Sequence, residues 1–397
     1  MRLRLIIINL LFFYFLTNIT LLPAKALNNE VLKLSFAKPV IVNMSEERLQ
    51  QAYRVIEDAL KNKAFPGAVC LIARYGKVVG FKAFGDMQII PEKVIMKKNT
   101  FFDLASLTKP VVTATSIMIL LESGLIRLED KVSYFIPYFS GGAKDDVTIK
   151  HLLTHTSGLP DWQPFYKKYQ GYENILNAVI NTSLVSKPGE VYLYSDLGYI
   201  LLGEIVNIIS GKTLDVFAEQ NIFIPLGMKS TFFNPGAELQ SDCAATELDD
   251  ERGGVVKGVV HDENAFAMGG VAGHAGLFST AWDLAIFAQM MLNGGYYGNL
   301  RILSPATVNE MTKNQISGIG NEGFGWFTKG NGTSAGDLLS NKAYGHTGFT
   351  GASIWIDPQY QLITILLTNR VHPTRDNNKH IRVRSLFQNA VASSIIK

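Results

Sequence analysis

Asp103-Leu104-Ala105-Ser106-Leu107-Thr108-Lys109-Pro110 opens an apolar run that reaches Glu122 and stops at Gly124. Read as a helix from Ser106 to Glu122, it sets Ser106 and Lys109 three residues apart on one face, where the lysine amine reaches the serine hydroxyl. Asp103 is placed to cap that helix, which puts Ser106 in its first turn, beside outward-pointing N–H groups and the positive end of the helix dipole. A lysine desolvated in a cleft can be neutral and accept the serine proton. The segment predicts a nucleophile, Ser106, with Lys109 as its proton partner. Chance alone supplies on the order of one Ser-x-x-Lys in a chain of this length, so the rest of the sequence has to decide.

Upstream, Ser45 caps a helix in which Leu49, Ala52, Ile56 and Leu60 recur at helical spacing. Phe65-Pro66-Gly67 ends it, and residues 68–73 and 78–84 read as a hairpin through Tyr75-Gly76. The last third mirrors this. Residues 352–356 and 362–369 are strand-like around Asp357-Pro358, and a helix follows from about Lys379. Between them the chain is mostly helical and loopy, with a second clear helix from Leu197 to Ser210 ending at Gly211. The expectation is an α+β fold: an antiparallel sheet built from both chain ends and flanked by helices, with a mostly helical lobe inserted. The sheet lobe covers about 45–105 and 294–397, the helical lobe about 106–293, and a cleft lies between them.

Two further motifs fall where such a cleft needs them. Tyr194-Ser195-Asp196 follows the Pro188-Gly189 turn and precedes a helix. A tyrosine there can relay a proton, or be a buried tyrosine with a bonded hydroxyl. Gly345-His346-Thr347-Gly348-Phe349 precedes the late hairpin. It reads either as a glycine-rich turn or as a strand end where substrate approaches the backbone. In this order and context the three motifs resemble those of the serine β-lactamase and penicillin-binding-protein superfamily, in its class C-like branch. Phe65-Pro66-Gly67-Ala68, the segment from His151 to Pro160 and Pro188-Gly189-Glu190 extend the likeness over nearly the whole chain after the leader. The resemblance implies an acyl-enzyme on Ser106, with Lys109 and Tyr194 as the proton-transfer pair. It implies that His346, with Thr347 and Gly348, binds substrate or joins the proton network. The oxyanion hole would be the backbone N–H groups of Ser106 and Phe349, and no metal or organic cofactor is required.

Two positions depart from that pattern. Asp196 stands where the family carries asparagine, and an ionised carboxylate cannot donate to a substrate carbonyl. It would also attract the Lys109 amine and keep it protonated. His346 stands in place of a lysine, and a neutral imidazole anchors a substrate carboxylate less well. Both changes argue against efficient β-lactam hydrolysis and suit peptidases, amidases and esterases. The stretch from Val260 to Ala265, Gly269 to Ser279 and Asn369 to Arg375 is similar to a cell-wall subgroup of carboxypeptidases and muramyl-L-alanine amidases. The expected substrate is then a peptidoglycan peptide or muropeptide, with a broad-specificity esterase or weak β-lactamase as the alternative on the same machinery.

Composition narrows the classes. Arg2 and Arg4, an apolar run from Leu5 to Leu16 and Ala24-Lys25-Ala26 read as a secretory leader cut after Ala26, or else as an uncleaved anchor. The mature part, residues 27–397, reads as one domain, secreted or periplasmic. The three basic residues of the leader leave 34 of the 37 in the remainder, equal to the 34 acidic residues. Nothing there suggests a nucleic-acid partner. Cys70 reads as a buried small hydrophobe and Cys243 as part of a polar loop. A metal hydrolase is the rival from another class, because His151 and His155 lie four apart and His261, Asp262, Glu263 and His274 could add ligands. The segment His-Leu-Leu-Thr-His lacks the glutamate that would act as base, so the two histidines are expected to bond loop backbone, and the 261–274 stretch to line the cleft. A non-catalytic wall-peptide binding protein is the other rival, opposed by intact Ser106, Lys109 and Tyr194.

Overall fold

The hairpin Gly67–Arg74 and Lys77–Gln88 and the late hairpin Ser353–Asp357 and Leu362–Thr368 both form, at the strand-like runs around Tyr75-Gly76 and Asp357-Pro358. They meet because Leu362–Thr368 pairs antiparallel with Gly67–Arg74, setting Ala68 opposite Thr368. In this computed structural model, which describes residues 32–396, the leader read in residues 1–26 lies outside the described part. The sheet runs in the order Ser35–Phe36, Lys77–Gln88, Gly67–Arg74, Leu362–Thr368, Ser353–Asp357, Tyr344–Thr347, Phe327–Thr328, with Val94–Ile95 added beside Lys77–Gln88. One edge differs from the expected all-antiparallel sheet. Ser35–Phe36 lies parallel to Lys77–Gln88, tied by Ser35 N to Gly76 O at 3.0 Å and Ala37 N to Val78 O at 3.1 Å. The sheet is therefore mixed, and a two-residue edge strand carries no period from which to read it.

Neither central strand shows an exposed side because both sheet faces are covered. Ala68, Cys70, Ile72, Trp355, Leu362 and Leu366 point to one face and pack with the helices Glu46–Lys61 and His380–Ala392. Ser45 caps the first of these by accepting from Arg48 N at 3.2 Å. Val69, Leu71, Ala73, Ile354, Ile356, Ile363 and Ile365 point the other way into the larger core, shared with the helices of the middle of the chain. Register thus assigns each residue to one core or the other, and a one-residue slip would exchange them.

The run from Ser106 is not one α-helix. Ala105–Leu107 is a 3-10 turn, Lys109–Ala114 a π turn, and α geometry begins only at Thr115 and ends at Glu122. Pro110 has no N–H to donate, and Thr115 Oγ1 donates to the Pro110 carbonyl at 2.7 Å. Ser106 therefore does not sit in the first turn of a long α-helix, and the dipole argument for it loses its basis. The segment Ala105–Glu122 is long and apolar enough to cross a membrane, yet 78% of it is buried inside the protein. Cys243 departs from its polar neighbours in sequence and is buried. Phe101 N donates to Asp242 O at 3.1 Å and Ala244 N to Phe101 O at 2.8 Å, drawing this segment against the core.

Where the sheet meets the segment after it, Asn369 acts as a side-chain clasp. Its Oδ1 accepts from Gly67 N at 2.9 Å, and its Nδ2 donates to the carbonyls of Asp86 at 3.2 Å and Met87 at 3.1 Å. Asn369→Ala leaves these buried groups unpaired. With about 1–3 kcal/mol for a buried group left unsatisfied, urea unfolding of the variant is expected to show a loss of about 2–4 kcal/mol. An unchanged midpoint would show that the clasp contributes nothing.

Candidate active site

Asp103 fixes the turn that carries Ser106. It ends the short strand Phe102–Asp103, which pairs with Leu277–Ser279. Its Oδ1 accepts from Ala105 N at 2.8 Å and its Oδ2 from His261 N at 2.6 Å, while the Thr350 hydroxyl donates to its carbonyl at 2.6 Å. Asp103 is thus a cap of a different kind from the one expected: it joins its own turn to two distant segments. Ala105 sits at φ 46°, a left-handed conformation that costs a residue with a Cβ on the order of 1–3 kcal/mol. The Thr108 hydroxyl closes the turn by donating to Ala105 O at 2.7 Å. Gly348 lets the strand Tyr344–Thr347 come up to this turn, because a Cβ there would run into the Leu104 carbonyl.

Lys109 is completely buried, and its ammonium meets three acceptors. Asp196 Oδ1 lies at 2.6 Å, Ser106 Oγ at 3.0 Å and the His274 carbonyl at 3.2 Å. Burial pulls the lysine pKa down, but the Asp196 carboxylate and then Tyr194 reverse this and hold it above its ordinary value. Asp196 is the first residue of the helix Asp196–Ser210, whose N-cap is Ser195.

Tyr194 stands two residues before Asp196, with the Lys109 ammonium 4.8 Å from its ring centre. Burial raises its pKa, and Lys109 opposes the rise. The position of Tyr194 depends on the segment that begins at His155. Leu193 N donates to His155 O at 2.9 Å, Ser195 N to His155 Nδ1 at 2.9 Å and Asp196 N to Asp161 O at 2.9 Å. Gly158 bends that segment at φ 81°, where a Cβ would strike the Ser186 carbonyl. His151 bonds backbone as well, accepting from Thr148 N at 3.2 Å. His155 does more, because its ring stacks on Tyr194 with centroids 4.3 Å apart.

His346 is buried, stacks on Phe327 at 4.3 Å, and bonds Thr347 O through Nδ1 at 2.9 Å. Burial, with help from Lys109, pushes its pKa down to about 3, so the ring is neutral. Its ring centre is 6.1 Å from that of Tyr194. His346, Thr347 and Gly348 are not among the residues lining the cavity at Ser106, whereas Phe349 is. Neither the Phe349 amide nor the Ser106 amide has a hydrogen-bond acceptor among the described residues, so both are unpaired backbone donors on residues that line the cavity.

That cavity measures about 400 Å³ and is lined by Ser106, Tyr194, Asp196, Phe349 and residues from three loops: Asp161 and Trp162; His261, Asp262 and Glu263; His274 and Ala275, with Arg375 at its rim. His274 Nε2 bonds Asp262 Oδ1 at 2.8 Å, and His274 holds that carboxyl below its usual range against the effect of burial. Arg375 is held by Glu247 at 2.6 Å and Glu263 at 2.7 Å. A larger cavity of about 600 Å³ opens by Tyr172, Glu204 and Lys212 and has no activated nucleophile. Ligand atoms of Asp196, Asp262 and His274 lie within 4.8 Å of one another, the spacing of a metal site. The Lys109 ammonium already supplies a positive charge at Asp196. His155 as a stacking partner of Tyr194 and the Asp262–His274 pair were beyond the motif reading, since neither shares a helix turn or strand with Ser106.

The sequence profile of the family described as Beta-lactamase matches residues 53–388. The "Putative D-alanyl-D-alanine carboxypeptidase" of Escherichia coli K12 is 34% identical over 385 residues, covering 87% of this chain and 88% of that one. The N-acetylmuramyl-L-alanine amidase of Bacillus subtilis 168 is 34% identical over 376 residues, covering 84% and 85%. Among solved structures, the octameric penicillin-binding protein homologue from Pyrococcus abyssi superposes with a TM-score of 0.69 at 26% identity, over 85% of this chain and 76% of that one. With a Ser-x-x-Lys pair in contact, a tyrosine beside it and a matching profile along most of its length, the chain belongs to the beta-lactamase family.

Proposed function

We propose that this protein is a serine hydrolase that forms an acyl-enzyme on Ser106 and cleaves an amide bond in peptidoglycan-derived peptides. The observation that carries the reading is the contact of Ser106 Oγ, on a residue that lines an open cavity, with the fully buried Lys109. Ser106 attacks the carbonyl, Lys109 and Tyr194 move the protons, and the amides of Ser106 and Phe349 receive the oxyanion. Water then releases the acyl group. The named relatives act, by their names, at a terminal D-alanine or at the muramyl-L-alanine bond. They support a wall substrate, and with it a secreted or periplasmic location.

Charge favours the second of those two bonds. A terminal D-alanine and a β-lactam both bring a carboxylate to the site. Among the described residues, the cavity lining presents the carboxylate of Asp161, which is in no ion pair, those of Asp196, Asp262 and Glu263 already engaged by Lys109, His274 and Arg375, and no free cation, since Arg375 is itself shared between Glu247 and Glu263. The neutral, buried His346 adds no charge. An uncharged internal amide meets no such repulsion.

Three outcomes are expected. Incubation with muropeptides, read by mass spectrometry, yields free stem peptide, and nitrocefin is turned over at least about tenfold more slowly, one withheld hydrogen bond's worth; release of D-alanine alone would redirect the reading to a carboxypeptidase. Ser106→Ala loses fluorophosphonate labelling and about 10⁴-fold or more of turnover, and a variant with substantial residual activity would end the acyl-enzyme reading. Prolonged chelation leaves the rate unchanged, whereas loss restored by zinc would assign Asp196, Asp262 and His274 to a metal.

A further inference from the structure

An ammonium has three N–H groups and no lone pair. Lys109 Nζ lies 2.6 Å from Asp196 Oδ1 as an ion pair and donates hydrogen bonds to Ser106 Oγ and the His274 carbonyl. In this arrangement Lys109 donates to Ser106 and cannot take its proton. Two of the three partners, a carboxylate and a carbonyl, are acceptors only. Of these the carboxylate is the nearer, and it alone is basic. We propose that Asp196 is the proton acceptor that unloads Lys109, so that the lysine works as a relay between Ser106 and this carboxylate rather than as a resting neutral base. The inference rests on the acyl-enzyme reading above and adds to it the terminal base of the acylation step.

The step balances. Nζ gives one proton to Asp196 Oδ1, turning an ion pair into a neutral amine and a carboxylic acid. The amine rotates about Cε–Nζ to bring its lone pair to Ser106, and takes the Oγ proton as Oγ bonds to the substrate carbonyl carbon. When the C–N bond breaks, the leaving nitrogen takes the Tyr194 phenolic proton. Lys109 restores that proton and recovers its own from Asp196, so no proton is gained or lost overall. The trigger is desolvation. The Asp196 side chain is 19% exposed and that of Lys109 is fully buried, so water in the open cavity sustains the charged pair mainly through the carboxylate. A substrate that fills the cavity removes that water and favours the neutral pair.

The other groups around Asp196 do not replace it. Tyr194 is a neutral phenol at rest. Asp262 is engaged by His274 and by Ala265 N, the latter at 2.7 Å. His155 and His346 are buried neutral rings whose Nδ1 atoms are committed to Ser195 N and Thr347 O, and neither makes a hydrogen bond to Lys109.

The test is the pH dependence of kcat/KM and of fluorophosphonate labelling between roughly pH 5 and 10, spanning carboxylate and amine titration, in the parent, Asp196→Asn and Asp196→Glu. With asparagine, Lys109 must lose its proton to solvent, so its rate follows the free-amine fraction. The ratio of the asparagine variant to the parent is expected to fall by about tenfold per pH unit below the pKa of the Lys109 amine, and by about 100-fold or more across the range. The glutamate variant keeps a carboxylate, and its ratio to the parent stays constant; it also serves if the asparagine variant does not fold. A pH-independent ratio for asparagine, or a pH-dependent one for glutamate, overturns the proposal. Ser106→Ala separates the two readings: if it still turns over substrate the acyl-enzyme reading fails, and if it is inactive while the asparagine ratio is constant only the relay fails.

Discussion

The structure around the cavity depends on one buried charge. An ammonium taken out of water costs several kcal/mol unless partners replace its hydration. Lys109 is supplied from three places in the chain: the turn before it, the start of the helix Asp196–Ser210, and the loop at His274. Each partner comes with a segment that must be held in place. The His274 loop is tied by the Thr113 hydroxyl donating to Gly273 O at 2.6 Å. The helix start is tied through Asp161 and His155. Meeting the needs of one lysine therefore aligns most of the cavity wall.

Asp103 plays the matching part for the serine. It is buried, and burial raises its pKa while the amides of His261 and Ala105 work the other way. Its two oxygens and its carbonyl bind the left-handed turn, the 261 loop and the segment after the His346 strand. The strain at Ala105 is held by contacts far apart in sequence. This is how such strain persists: the surroundings over-determine the conformation. The serine is presented by tertiary structure, not by the dipole of its own helix.

This difference explains what the sequence could and could not tell. Ser106 with Lys109, the two hairpins, and the helices at Glu46 and Asp196 are local patterns, and local patterns are legible. The break of the 106–122 run into three helix types is not, because it turns on Asp103, His261 and Thr350 as much as on Pro110. The burial of Cys243 within a polar stretch is not legible for the same reason: the residue pairs with Phe101, 142 residues away in the chain. His155 was expected only to bond backbone, and it does, but its other service is a stacking contact with Tyr194 that sequence spacing does not encode. The parallel edge at Ser35–Phe36 is too short to carry a period.

The histidines show how the site controls charge around the lysine. His155 and His346 lie beside a permanent cation, and burial together with Lys109 holds both neutral. A protonated ring in either place would add like charge in a low dielectric, raising the cost of the ammonium and competing for the carboxylate that pairs with it. Keeping them neutral leaves Asp196 facing a single cation at 2.6 Å. His274 is bonded to a carboxylate of its own, Asp262, and so makes no demand on Asp196. The result is a one-to-one match of Lys109 with Asp196 in the middle of several titratable groups. A proton can be exchanged within such a pair without disturbing the charge of its neighbours, which is the condition a relay needs.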